Sequence, residues 1–240
     1  MSTHLSTYDP ARADLTDTAE RPANLVRPAS RAWALAGVAA GVLAVGTVVT
    51  SSSIGAVYDE KLNGDAEGIA ARLADLTPNM FAFHSITALG AVLTVAFAAG
   101  LAARLRAVAR DSIAPAIAFA GLLGTAVVSV LGSGLDTEFM TTLASDPDAI
   151  VPEAAVMYNH WVGTIPWLFT LSGLAGLATY AVSRRGGVPR WLGRVGLVLG
   201  GLTVLLGISP LEYMAAVPGT LWMLVTAIGF LVGDKKFRNA

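Results

Sequence analysis

The stretch Ala32–Tyr58, AWALAGVAAGVLAVGTVVTSSSIGAVY, runs without a single Asp, Glu, Lys or Arg. A helix needs about 20 apolar residues to cross the ~30 Å hydrocarbon core of a bilayer. Hydrocarbon offers no partner to backbone N–H and C=O groups, and a helix satisfies its own. This run is therefore predicted to be a membrane helix. Five more follow: Thr77–Ala103, Ser112–Leu135, Trp161–Ser183, Val195–Leu211 and Tyr213–Gly233. The fifth, from Val195, is short. It reaches span length if it begins near Pro189, with Arg190 and Arg194 stretching to the head groups beside Trp191. Allowing for ends, the spans fall at 32–56, 78–103, 112–135, 154–183, 190–209 and 213–233. The expected fold is all-α, a six-helix transmembrane bundle.

Charge placement gives the orientation. The amino tail, the 104–111 loop, the 184–194 loop and the carboxyl tail hold 14 of the 16 Lys and Arg. The opposite side holds only Lys61 and Arg72, with 11 of the 17 acidic residues. Basic loops stay in the cytoplasm, so both termini are expected inside (N-in/C-in). The segment 1–30 is polar, carries Pro10, Pro22 and Pro28, and reads as a disordered cytoplasmic tail. The segment 235–240 reads as a second, short cytoplasmic tail.

Composition agrees. Hydrophobic residues make up 54% and charged residues 14% of the chain, where soluble domains carry about 25% charged. Mean hydropathy is +0.62. A net charge of −1 gives no sign of a nucleic-acid partner. The absence of cysteine excludes disulfides, thiolate metal sites and Cys nucleophiles. Arg outnumbers Lys 13 to 3, and Ala and Gly abound, as in a GC-rich bacterial genome; the expected location is a bacterial plasma membrane.

Two outer loops are long. In the first, Ala66, Ile69, Ala70, Leu73 and Leu76 recur at helical spacing opposite Asp65, Glu67, Arg72 and Asp75. An amphipathic helix over about 64–76, lying on the outer membrane surface, is expected. In the other, Pro152 and Glu153 suit the first turn of a helix, which would extend span four outward. Small residues mark the seams between helices: Gly37 and Gly41, Gly121 and Gly124, Gly173 and Gly176, and the stripe Gly193, Gly196, Gly200, Gly207 around Thr203. Packing within the bundle is preferred to a dimer face for these.

Polar and ionisable groups collect at the outer ends of the spans: His84, Asp136, Glu138, Tyr158, Asn159, His160, Glu212 and Tyr213, with Thr50 to Ser53 ending span one. Ionisable groups at membrane depth are functional candidates. Pro166 and Pro218 remove backbone donors in spans four and six, which can bend their outer halves and open a pocket. That pocket is expected near spans two, three, four and six, with Trp167 and Trp222 as deeper candidates. Its ligand would be a small molecule, a membrane lipid or a membrane protein partner. His84 and His160 stay open to three further readings: ordinary hydrogen bonding, axial ligation of haem, and a divalent metal site completed by Asp136, Glu138 or Glu153. A secondary transporter is the weakest alternative, because the inner half lacks a polar path. No His-x3-His or His-Glu-x2-His pair, Gly-x-Ser-x-Gly or Walker loop is present, so no catalytic residue is assigned.

The stretch Val188-Pro-Arg-Trp-Leu-Gly-Arg-Val-Gly-Leu-Val-Leu-Gly-Gly, with Gly219-Thr-Leu-Trp-Met-Leu and Gly229 after it, resembles the carboxyl half of a family of small multi-pass bacterial proteins. The family has no assigned function and is common in actinobacteria. The resemblance covers the carboxyl-terminal third of the chain and implies membrane location and helix count, with no catalytic residues to carry over.

Overall fold

The computed structural model describes residues 30–233. The amino tail read as disordered and the carboxyl tail lie outside them. The described residues are all-helical, without strands. Eight helices organise them: α1 (Ala32–Ser52), α2 (Ala66–Asp75), α3 (Thr77–Val108), α4 (Ala114–Ser145), α5 (Pro152–Trp161), α6 (Thr170–Ser183), α7 (Arg190–Gly207) and α8 (Ala216–Gly233). Among the described residues five stretches are long and apolar enough to cross a membrane: α1, α3, α4, α7, and α8 with its preceding 3-10 turn from Glu212. Their outward faces carry large apolar side chains such as Val49, Val92, Val127 and Leu205, all more than half exposed. A lipid environment tolerates such a surface.

The expected fourth span is not one helix. α5 ends at Trp161, a 3-10 segment runs Val162–Trp167, and α6 begins at Thr170. Gly163 and Pro166 lie in the break, where the missing proline N–H prevents an unbroken α-helical ladder. Pro218, by contrast, sits in the first turn of α8, where proline is tolerated, so it starts that helix instead of bending it.

Close backbone contact holds α6 against α7. A Cβ at Gly173 would stand 2.6 Å from the Gly200 carbonyl oxygen, and one at Gly176 2.8 Å from the Gly200 Cα. The glycine stripe therefore works within the bundle: Gly193 faces Ser183, Gly196 faces Gly176 and Gly207 faces Thr170. A π-helical turn over Gly196–Gly200 marks the crossing. Across α1 and α3, the Thr47 and Thr87 hydroxyls pair at 3.2 Å in the buried interior.

Contacts sort the helix ends. At one end Arg31 bonds the Leu231 carbonyl, Trp33 packs on Phe97 and Phe230, and Arg104 donates to the Gly187 carbonyl. That end joins the start of α1, the ends of α3 and α8, and the turn between α6 and α7, whose Gly186 and Gly187 take φ of +83° and +77°. Arg106, Arg110, Arg184, Arg185, Arg190 and Arg194 belong to it as well. The other end is acidic.

At the acidic end α3 and α4 run on. Each has 32 residues, about 48 Å of helix against a hydrocarbon core of about 30 Å. Their extensions, with α2 and α5, enclose a second apolar cluster that includes Ile69, Leu73, Met80, Phe83, Met140 and Tyr158. The amphipathic helix is thus real but differs from expectation in its neighbour. Ile69 and Leu73 of α2 are buried against protein, beside α5, not laid on lipid. Asp65 caps α2, accepting from the Gly68 N–H at 2.9 Å, and α5 begins at Pro152, as its sequence predicts.

Candidate functional site

The acidic end contains a cavity of about 380 Å³, within the range of small-molecule sites. Three aromatic side chains line it from three segments: Tyr58 after α1, Trp167 before α6, and Tyr213 before α8. Ser51, Ser52 and Thr164 add hydroxyls, Asn159 an amide and Met214 a thioether. Among the described residues no Asp, Glu, Lys, Arg or His lines it.

Asn159 builds this site. Its Oδ1 accepts from the Val57 N–H at 2.9 Å, and its Nδ2 donates to the Ile54 carbonyl at 2.7 Å. Both groups lie in the chain after α1, where the Ile54 carbonyl also accepts from the Ala56 N–H at 2.9 Å, so the Val57 N–H is the group that depends on the amide. The amide thereby sets where Tyr58 stands. Trp167 adds a second tie, its Nε1 donating to Ser51 Oγ at 3.1 Å. Asn79 of α3 donates to Ser53 Oγ at 3.0 Å and secures the same chain from the other side.

Of the residues expected to form a pocket, the structure brings Asn159, Trp167 and Tyr213 together. The others stand elsewhere. His84 is on α3, its Nδ1 2.9 Å from both the carbonyl oxygen and the Oγ of Ser133 on α4. Asp136, one turn beyond Ser133, is fully buried. Its carboxyl lies against the Tyr158 hydroxyl, and no other group among the described residues reaches either oxygen. Tyr158 is buried and stacks on Phe139, with ring centroids 4.6 Å apart. Glu138 and Glu212 are exposed. Trp222 lies in the bundle core, fully buried, its Nε1 without a partner among the described residues.

His160 is exposed and meets the Tyr58 ring edge-on at 5.8 Å. It lines a second, smaller cavity of about 250 Å³ together with Glu153 and residues of the α2 approach such as Asn63 and Ile69. The two histidines thus have separate surroundings, His84 against α4 and His160 against Tyr58. Among the described residues, no group of three His, Cys, Asp or Glu side chains is placed to hold a metal ion.

The sequence places the pocket near spans two, three, four and six, whereas the cavity joins the end of α1, the break before α6 and the turn before α8. The reason is packing. At the acidic end, the space between α3 and α4 is filled by the cluster under α2 and α5. The sequence alone assigns no site role to Tyr58, Thr164 or Met214. Tyr58 ends a charge-free run and reads as an interfacial anchor; its only signal is nearness to the polar end of α1. No protein-family model, curated protein or solved structure matches this chain.

Proposed function

We propose that this chain is a multi-pass protein of a bacterial plasma membrane that binds a small molecule or a lipid head group, without turning it over, in the cavity at its acidic end. The observation that carries this reading is the composition of the cavity wall: aromatic side chains and polar groups converge from three separate segments on one space of about 380 Å³. Residues that serve only packing fill space instead of enclosing it.

We further read Pro152–Ser183 as a sixth crossing, with both termini cytoplasmic. Support comes from length and direction. α6 supplies about 21 Å and the 3-10 segment about 12 Å, together near the ~30 Å required. Thr170 of α6 meets Gly207 at the end of α7, while Ser183 meets Gly193 near its start, so the two run antiparallel. The basic end then faces the cytoplasm. The resemblance of the carboxyl-terminal third to small multi-pass actinobacterial proteins is in keeping with this reading.

Native mass spectrometry of the full chain, released from a bilayer of bacterial lipids, tests the binding reading. Wild type is expected to retain non-covalent adducts that Trp167→Leu and Thr164→Leu lose. Identical adduct spectra for all three proteins would overturn it.

A further inference from the structure

We infer that this cavity takes an organic ammonium ion, free or as the head group of a lipid; the inference rests on the cavity being a binding site. Donor accounting is the first argument. The Ser52 hydroxyl donates to the Val48 carbonyl at 2.9 Å and the Thr164 hydroxyl to the Trp161 carbonyl at 2.6 Å. Trp167 Nε1 donates to Ser51, and Asn159 donates to Ile54. Four donors of the wall are thus engaged within the protein, which leaves the Tyr58 and Tyr213 hydroxyls, oxygen lone pairs and three aromatic rings to line the space. A phosphate, sulfate or carboxylate needs the reverse, donors and positive charge.

Charge is the second argument and is independent of the first. Among the described residues no cationic side chain lines the cavity. Asp59 and Glu60 follow Tyr58, Glu212 precedes Tyr213, and the whole acidic end has only Lys61 and Arg72 to offset its carboxylates. Such a field concentrates cations at the mouth and repels anions. Three electron-rich rings then supply the attraction that alkylammonium groups find in aromatic cages, where hydration is shed cheaply and the ring quadrupole faces the charge.

The test uses the full chain in an uncharged maltoside detergent, with titration calorimetry of choline chloride and of 3,3-dimethylbutan-1-ol, its uncharged isostere. Choline is expected to bind saturably, tenfold or more weakly in Trp167→Leu and Tyr213→Leu, and within about twofold of wild type in Tyr213→Phe, which keeps the ring. The isostere is expected not to bind. Tyr213 is 40% exposed, so its variants keep the fold, and melting curves verify this. A second arm compares retention of phosphatidylcholine and phosphatidylglycerol from nanodiscs. Phosphatidylcholine retained by wild type and lost in both leucine variants, with free choline silent, supports the inference and assigns the source to lipid. Equal binding of choline and the isostere overturns the ammonium class and leaves the cavity reading standing. Choline binding untouched by both leucine variants overturns the inference, as does a protein that retains neither choline nor phosphatidylcholine. The cavity reading itself falls only if the adduct spectra of the cavity variants also match wild type.

Discussion

Arg31 donates from Nη1 to the backbone carbonyl of Leu231 at 2.8 Å, across 200 positions of sequence. The carbonyls in the last turn of a helix have no partner within it, so the guanidinium of the first helix closes the end of the last one. Trp33, two positions on, packs against Phe230 with ring centroids 5.4 Å apart. The chain therefore enters and leaves the bundle at one end. Reporters fused before Met1 and after Ala240 are expected on the same side of the membrane, active in the same compartment in a paired fluorescence and phosphatase assay. Opposite sides would require an odd number of crossings and would refute the bundle as read.

Asn159 is the next point of leverage. Asn159→Leu removes an acceptor from the Val57 N–H and a donor from the Ile54 carbonyl. The Ile54 carbonyl keeps the Ala56 N–H as a donor at 2.9 Å, but the Val57 N–H is left without a partner, at a cost of about 1–3 kcal/mol. A loss of about 1–3 kcal/mol in unfolding free energy is expected, chiefly from the Val57 N–H, read as a drop in melting temperature in detergent. Tyr58 should lose its fixed place at the same time, so the variant should also lose cavity ligands. A variant as stable as wild type would remove Asn159 from this role.

How much of this is legible in the sequence depends on the kind of information. Charge-free runs and the segregation of Arg from Asp and Glu mark α1, α3, α4, α7 and α8, because hydrocarbon acts on each helix separately. The break before α6 is signalled chiefly by Pro166, in a run that is otherwise free of charge. The face of α2 is legible from the spacing of Ile69 and Leu73, but not what covers it, since lipid and protein accept the same apolar stripe. Asn159 and Tyr213 are visible as outer-end polar and aromatic residues, and Trp167 as a deeper one. Tyr58 and Thr164 are not, because their meeting depends on an amide that pins a loop 102 positions away. Contacts of that range leave no local pattern.

Asp136 offers a test of opposite sign. Its side chain is buried at 0% exposure with both oxygens unpaired among the described residues, and such a group costs about 1–3 kcal/mol relative to an apolar replacement of similar size. Asp136→Leu is accordingly expected to stabilise the purified protein by about that amount, whereas Asp136→Asn, which keeps an unpaired polar group, should change little. Thermal melting of the three proteins side by side decides it. A leucine variant less stable than wild type would mean that the carboxyl has a partner in the native protein, the adjacent Tyr158 hydroxyl.

The contact between α6 and α7 gives the sharpest contrast between two glycine substitutions. At Gly176 a new Cβ would lie 2.8 Å from the Gly200 Cα and 2.9 Å from the Gly196 carbonyl oxygen, both backbone atoms that cannot swing aside. At Gly134 on α4 nothing lies within 4 Å. Gly176→Ala must therefore separate two helices, and overpacking of this kind costs about 1–3 kcal/mol. Gly134→Ala meets no clash, and alanine is the better helix former by about 1 kcal/mol. The expected outcome is a lowered melting temperature for Gly176→Ala and an unchanged or raised one for Gly134→Ala. Because α6 carries the chain from the cavity toward the basic end, Gly176→Ala should also weaken ligand retention through Trp167, although position 176 lines no part of the cavity. Equal behaviour of the two alanine variants would show that α6 and α7 do not touch along this seam, and the antiparallel pairing on which the sixth crossing depends would be lost.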